Sequence, residues 1–145
     1  MNINYILTEK YIVINGKEIF IGETINEIEN KTNLSLYISQ KTEDTIIVSE
    51  QDFQLYFKNK MLYMWTISPD KSFLFSNLKK KKLIEIQFNN FLEILFLENI
   101  KWEFNKVLTF SGQICVRLEN RVDFIFGFDK KNKKVQLSKV GFYSY

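Results

Sequence analysis

Glu43, Asp44, Glu50 and Asp52 form a loose acidic cluster, and Lys79, Lys80, Lys81 and Lys82 the longest run of bases. Paired carboxylates are the one catalytic or cation-binding chemistry this composition leaves open. Histidine is absent, which removes the commonest general base near neutral pH and every Ser-His-Asp or Cys-His arrangement. The single cysteine, Cys115, supports neither a zinc site of ordinary composition nor a disulfide framework. The steps Asn15-Gly16 and Ile21-Gly22 reproduce neither glycine-rich phosphate loop. The four acids lack the spacing and the glycine of a calcium loop. They read as an exposed acidic loop, with a partner-facing patch as the functional alternative. No enzyme activity, metal or cofactor is expected.

The lysine run defines a second functional reading. Basic runs neutralise phosphates or sit on anionic lipid, and Arg117 and Arg121, the only two arginines, would extend such a patch. Nucleic-acid binders add more arginine and interleaved aromatics on one surface. Lysines just ahead of a strand also act as gatekeepers against edge-to-edge aggregation, so nucleic acid ranks second among the partners. Charge is unevenly divided, −4 over residues 1–70 and +7 over residues 71–145, a split that marks either a charged partner surface or ordinary solvated faces.

The elements that must position these residues are mainly strands. The 145-residue chain contains no alanine, and its 46% hydrophobic content sits in Ile, Leu, Phe, Val and Tyr. These types suit pleated sheets, whereas helices draw on alanine. Asn15-Gly16 between Tyr11-Ile12-Val13-Ile14 and Lys17-Glu18-Ile19-Phe20-Ile21 predicts a tight hairpin of the type that needs two positive φ angles. Thr24-Ile25-Asn26-Glu27 has the form of a capping box opening a short helix that ends within residues 30–33, with Ile25 and Ile28 facing the core. A strand is expected at Thr45-Ile46-Ile47-Val48. A hairpin follows over residues 53–67, turning at Lys58-Asn59-Lys60 and stopped by Pro69.

Alternation over residues 83–88 suggests another strand. Residues 89–100 admit a helix or a strand, and their apolar spacing favours a short helix. A last group of strands is expected at residues 113–118, 122–128 and 135–143. Residues 52–70 align without gaps on residues 113–131, so two related hairpin units are conceivable without amounting to a true repeat. The predicted fold is α+β: one domain over residues 1–145, mainly an antiparallel β-meander sheet with one or two short helices. No apolar stretch is long and uncharged enough to span a bilayer, and no secretory leader is evident at residues 1–5, so a cytoplasmic location is expected. Trp65 and Trp102 are both expected in the core, and Cys115 is expected to be buried and inert.

The order Ile12-Val13-Ile14-Asn15-Gly16-Lys17-Glu18-Ile19-Phe20-Ile21-Gly22-Glu23-Thr24, then a short helix, then Ser49-Glu50-Gln51-Asp52-Phe53-Gln54-Leu55-Tyr56-Phe57-Lys58-Asn59-Lys60, resembles small bacterial immunity proteins of polymorphic-toxin loci. In that family a hairpin leads through a glycine turn into a helix and then a meander. The tryptophan-aspartate pair usual before the first meander strand is replaced here by Ser49-Glu50 or Gln51-Asp52, and no functional residue carries over. The resemblance implies a non-catalytic protein whose partner is a cognate toxin. For a basic toxin, the acids Glu43, Asp44, Glu50 and Asp52 would form the contact surface.

Overall fold

A computed structural model describes residues 4–69 and 86–144. Lys79, Lys80, Lys81 and Lys82 lie outside the described residues. After a 3-10 turn at Asn4–Leu7, β1 (Ile12–Ile14) and β2 (Lys17–Ile19) form a small hairpin. Asn15 and Gly16 take φ of 49° and 74°, the left-handed pair that the Asn-Gly step predicts. Helix α1 (Ile25–Thr32) opens on the expected capping box: the Glu27 amide donates to the Thr24 hydroxyl, and the Glu27 carboxylate accepts from the Thr24 amide. It ends at Asn33, whose left-handed φ of 56° closes the helix.

The remaining strands form one antiparallel sheet: β3 (Ile38–Lys41), β4 (Thr45–Ser49), β5 (Phe53–Lys58), β6 (Met61–Ile67), β7 (Trp102–Phe104), β8 (Gln113–Leu118), β9 (Val122–Asp129) and β10 (Lys134–Phe142). Their spatial order is β3-β4-β5-β6-β10-β9-β8-β7. This order is symmetric about its centre. Two four-stranded meanders, each preceded by a helix, meet where Ile67, Thr66 and Trp65 pair with Val140, Gly141 and Phe142. The hairpin β5–β6 therefore corresponds by position to β9–β10, one strand later than the match to residues 113–131 that gapless alignment suggests.

The ambiguous stretch is helical: α2 spans Phe88–Leu97. Of the expected strand over residues 83–88, residues 83–85 lie outside the described residues, and Phe88 belongs to this helix instead. Phe88, Phe91, Leu92 and Leu95 recur at helical spacing, and Phe91 packs on Phe124 and Phe126 with ring centroids 4.5 and 5.2 Å apart. Just before the helix, Gln87 bridges to Gln136 and the Ile86 carbonyl accepts from the Leu137 amide. Among the described residues, no helix is long and apolar enough to cross a membrane.

Strand register divides the side chains between two faces. Val48, Leu55, Trp65, Ile67, Val140, Phe142, Val122, Phe124 and Val116 share one face. They are buried with Ile28 of α1, Phe91, Ile94 and Leu95 of α2, and Ile12 and Ile19 of the small hairpin. Trp65 is fully buried as expected, and its indole N–H donates to the Lys10 carbonyl at 3.0 Å. Trp102, also expected in the core, lies instead on the edge strand β7 and stays partly exposed. The opposite face carries Cys115, Asp123, Ile125 and Thr66, all buried.

Candidate partner-binding surface

The four acids singled out in the sequence do not come together. Glu43 and Asp44 lie in the β3–β4 turn, Glu50 and Asp52 in the β4–β5 turn, at opposite ends of β4. Five strand residues separate the pairs, about 16 Å of extended chain. Each pair has local partners. Asp44 accepts from the hydroxyls of Thr42 and Thr45, and Glu50 accepts from the Tyr37 amide at 3.0 Å. Among the described residues, no group of three or more acids or cysteines is placed to hold a metal ion.

Of the basic candidates, Arg121 occupies the β8–β9 turn with φ of 70°. Arg117 is taken up within the fold. Its Nε and Nη2 donate to the two oxygens of the fully buried Asp123, at 2.9 and 2.7 Å. Such a fork-on-carboxylate pair is the geometry in which a buried charge is best tolerated. Cys115 lies beside it, buried as expected. Burial pushes its thiol pKa up, and the charge and hydrogen bonding of Asp123 push it further, with Arg117 acting in the opposite sense. The thiol is therefore a poor nucleophile in the folded protein.

The same carboxylate anchors a loop. Asn105 Nδ2 donates to Asp123 Oδ2 at 3.2 Å, while Asn105 Oδ1 accepts from the amides of Val107 and Leu108. The Thr109 hydroxyl accepts from the Cys115 amide at 3.0 Å, so the loop continues alongside β8 where β7 stops. Gln113 Nε2 donates to the Leu108 carbonyl at 2.8 Å. Gly112, at φ of 84°, closes a turn in which Phe110 and Gln113 exchange backbone hydrogen bonds, and its carbonyl accepts from the Phe128 amide.

A loop held this firmly nevertheless turns apolar side chains outward. Val107 is 77% exposed, Phe110 60% and Phe128, on the neighbouring strand, 49%. Phe110 and Phe128 line an open cleft of about 430 Å³ together with Ile114, Phe126, Val135 and Lys130. The β9–β10 turn beside it carries Lys130, Lys131 and Lys133, with Lys134 opening β10, and is itself fixed by Asp129. That carboxylate accepts from the amides of Asn132 and Lys131 and from Asn132 Nδ2. The Asn132 amide, then its side chain, holds the Asp129 pKa below the ordinary aspartate value.

The arrangement is a rigid apolar cleft with aromatic walls and a lysine-rich rim. Ser111, Gln113 and Lys130 are the polar residues of its lining. No family model, curated protein or solved structure matches this chain. Residue types alone do not reveal this surface. Phe128 and Val135 face each other across the β9–β10 hairpin, but Phe110 comes from the separate loop before β8, and only the Phe110-Ser111-Gly112 step, an aromatic beside a turn glycine, marks it locally.

Proposed function

We propose that this chain is a non-catalytic protein-binding protein, an immunity protein that binds and neutralises a cognate bacterial toxin through the cleft of Phe110 and Phe128. One observation carries this reading: a loop pinned by the Asp123–Asn105 bond holds Val107 and Phe110 in solvent. Anchor residues that are already ordered lose little conformational entropy on binding, and aromatic side chains in pockets contribute most of the affinity of protein interfaces. The lysine rim favours a partner that brings an apolar side chain into the cleft and acidic groups around it. The two separated acidic turns serve the toxin reading less well than one contiguous surface would.

The test is co-purification of the tagged chain with the products of its adjacent genes, at low and high salt, paired with a protection assay in cells making the neighbouring toxin. A stoichiometric complex is expected. Phe110→Ala and Phe128→Ala should each weaken it at least about tenfold, as truncation of interface anchors does. Glu43→Gln with Asp44→Asn should leave it unchanged. A complex insensitive to both phenylalanine variants overturns the cleft, and absence of any complex or protection overturns the immunity reading. Recovery of nucleic acid alone, lost at high salt, moves the assignment to an anionic-surface binder built on the lysine run.

A further inference from the structure

The sheet has two outer edges, and they differ. The β3 edge is irregular, its pairing with β4 shifting register between Ile38 and Gln40, and bulges of this kind protect edges from unwanted pairing. The β7 edge is regular. Trp102, Glu103 and Phe104 pair in unbroken register with Leu118, Arg117 and Val116. The Asn105 amide donates to the Cys115 carbonyl, and the Glu119 amide to the Lys101 carbonyl. In antiparallel geometry this directs the backbone groups of residues 101, 103 and 105 inward to β8. Those of Trp102 and Phe104 point outward, and no described strand meets them.

We propose that β7 pairs antiparallel with β7 of a second copy of this chain, about a two-fold axis at Trp102, joining two eight-stranded sheets into one. The inference does not rest on the toxin reading. Outward-pointing residues must form the hydrogen-bonded pairs, which leaves few registers. With the axis at Glu103, that acid would face its own counterpart, and directly opposed like charges are destabilising. With the axis at Trp102, Lys101 faces Glu103 of the second copy. Cross-strand pairing within each sheet places Lys101 beside Glu119 and Glu103 beside Arg117. The charges across the seam then run Glu119, Lys101, Glu103 of the second copy, Arg117 of the second copy, alternating in sign throughout.

The other face of the seam is apolar. Trp102 would meet its counterpart, and Phe104 would face Ile100 of the second copy, an aromatic–β-branched pair of the kind that stabilises sheets. The Ile100 amide already donates to the Leu95 carbonyl, so at that pair the seam uses the Ile100 carbonyl, accepting from the Phe104 amide. Trp102 and Phe104 are 38% and 49% exposed in the single chain, and this pairing covers them. Neither Lys101 nor Glu103 makes an ion pair among the described residues.

Light scattering coupled to size exclusion, over a concentration series of the purified chain, tests the proposal. The wild-type chain should be a dimer at high concentration. Lys101→Glu and Glu103→Lys each place like charges twice across the seam and should raise the dimer dissociation constant at least about tenfold. An equimolar mixture of the two variants restores opposite charges at both crossings and should form a heterodimer, read by native mass spectrometry. Far-UV circular dichroism confirms that each variant is folded. A wild-type chain that stays monomeric at its highest attainable concentration overturns the proposal. So does a dimer that both single variants leave intact, or a mixture that fails to recombine.

Discussion

Arg117 and Asp123 face each other across the β8–β9 hairpin, and both guanidinium donors meet both carboxylate oxygens at 2.7–2.9 Å. The pair connects stability to the binding surface, because Asp123 also holds Asn105, and Asn105 shapes the loop that carries Val107 and Phe110.

Arg117→Ala leaves a fully buried carboxylate without its cation, and removing one partner of such a pair costs about 3 kcal/mol or more. Urea unfolding should show that loss. Hydrogen exchange should show faster opening of the amides of Val107 and Leu108, since their acceptor is oriented by the same carboxylate. Asp123→Asn combined with Arg117→Met removes both charges and should recover part of the stability.

Much of this fold is written in short local patterns. Asn15-Gly16 and the pair Thr24 and Glu27 each specify their geometry within four residues, and each forms as expected. The helix over residues 88–97 required choosing between two periods, and contacts from Phe91 to Phe124 and Phe126 decide it. The edge strands β3 and β7 are invisible in pattern, because every residue in them is exposed and no alternation survives. The symmetric strand order was equally hidden, since it depends on a three-residue seam between β6 and β10. The candidate surface needed tertiary placement: the acids that cluster in sequence end at opposite ends of β4, and the cleft joins the loop of Phe110 to the β9–β10 hairpin of Phe128 and Val135.

That seam makes Gly141 sensitive. A Cβ there would lie 2.9 Å from Tyr143 Cε2, 3.0 Å from the Trp65 carbonyl oxygen and 3.1 Å from Thr66 Cγ2. Tyr143 can swing away, but the Trp65 carbonyl belongs to the paired strand. Gly141→Ala should therefore destabilise by about 1–3 kcal/mol, as overpacking does. The measurement is the urea midpoint, with Gly127→Ala as the control, because a Cβ at Gly127 meets nothing closer than 3.8 Å.

The first helix should depend on its cap. Thr24→Ala removes the hydroxyl that accepts the Glu27 amide and should cost about 1 kcal/mol. The bonds from the Thr24 amide and then its hydroxyl lower the Glu27 pKa. A depressed carboxylate adds stability that is present above its unfolded pKa and lost as pH falls through the folded one. The difference between wild type and Thr24→Ala should therefore shrink in acid, which unfolding curves at neutral and acidic pH would reveal.

At the alkaline end the sign reverses, and Tyr5 is the group to follow. Burial pushes its pKa from the ordinary 10 up to about 12, although the bond its hydroxyl accepts from the Val13 amide works the other way. Its ring stacks on Tyr11, 4.9 Å between centroids. A phenol whose folded pKa is raised contributes stability that is complete below the unfolded pKa and disappears as pH climbs through the folded one. Wild-type stability should thus fall between pH 10 and about 12. Tyr5→Phe loses the Val13 hydrogen bond and should be about 1 kcal/mol less stable at pH 7. It has no phenol to ionise at this position, so its profile should fall less steeply above pH 10 and the two curves should converge. Urea unfolding at intervals across this range checks it. Parallel curves for the two proteins would mean that Tyr5 is not the group whose ionisation opens the 3-10 turn from the small hairpin.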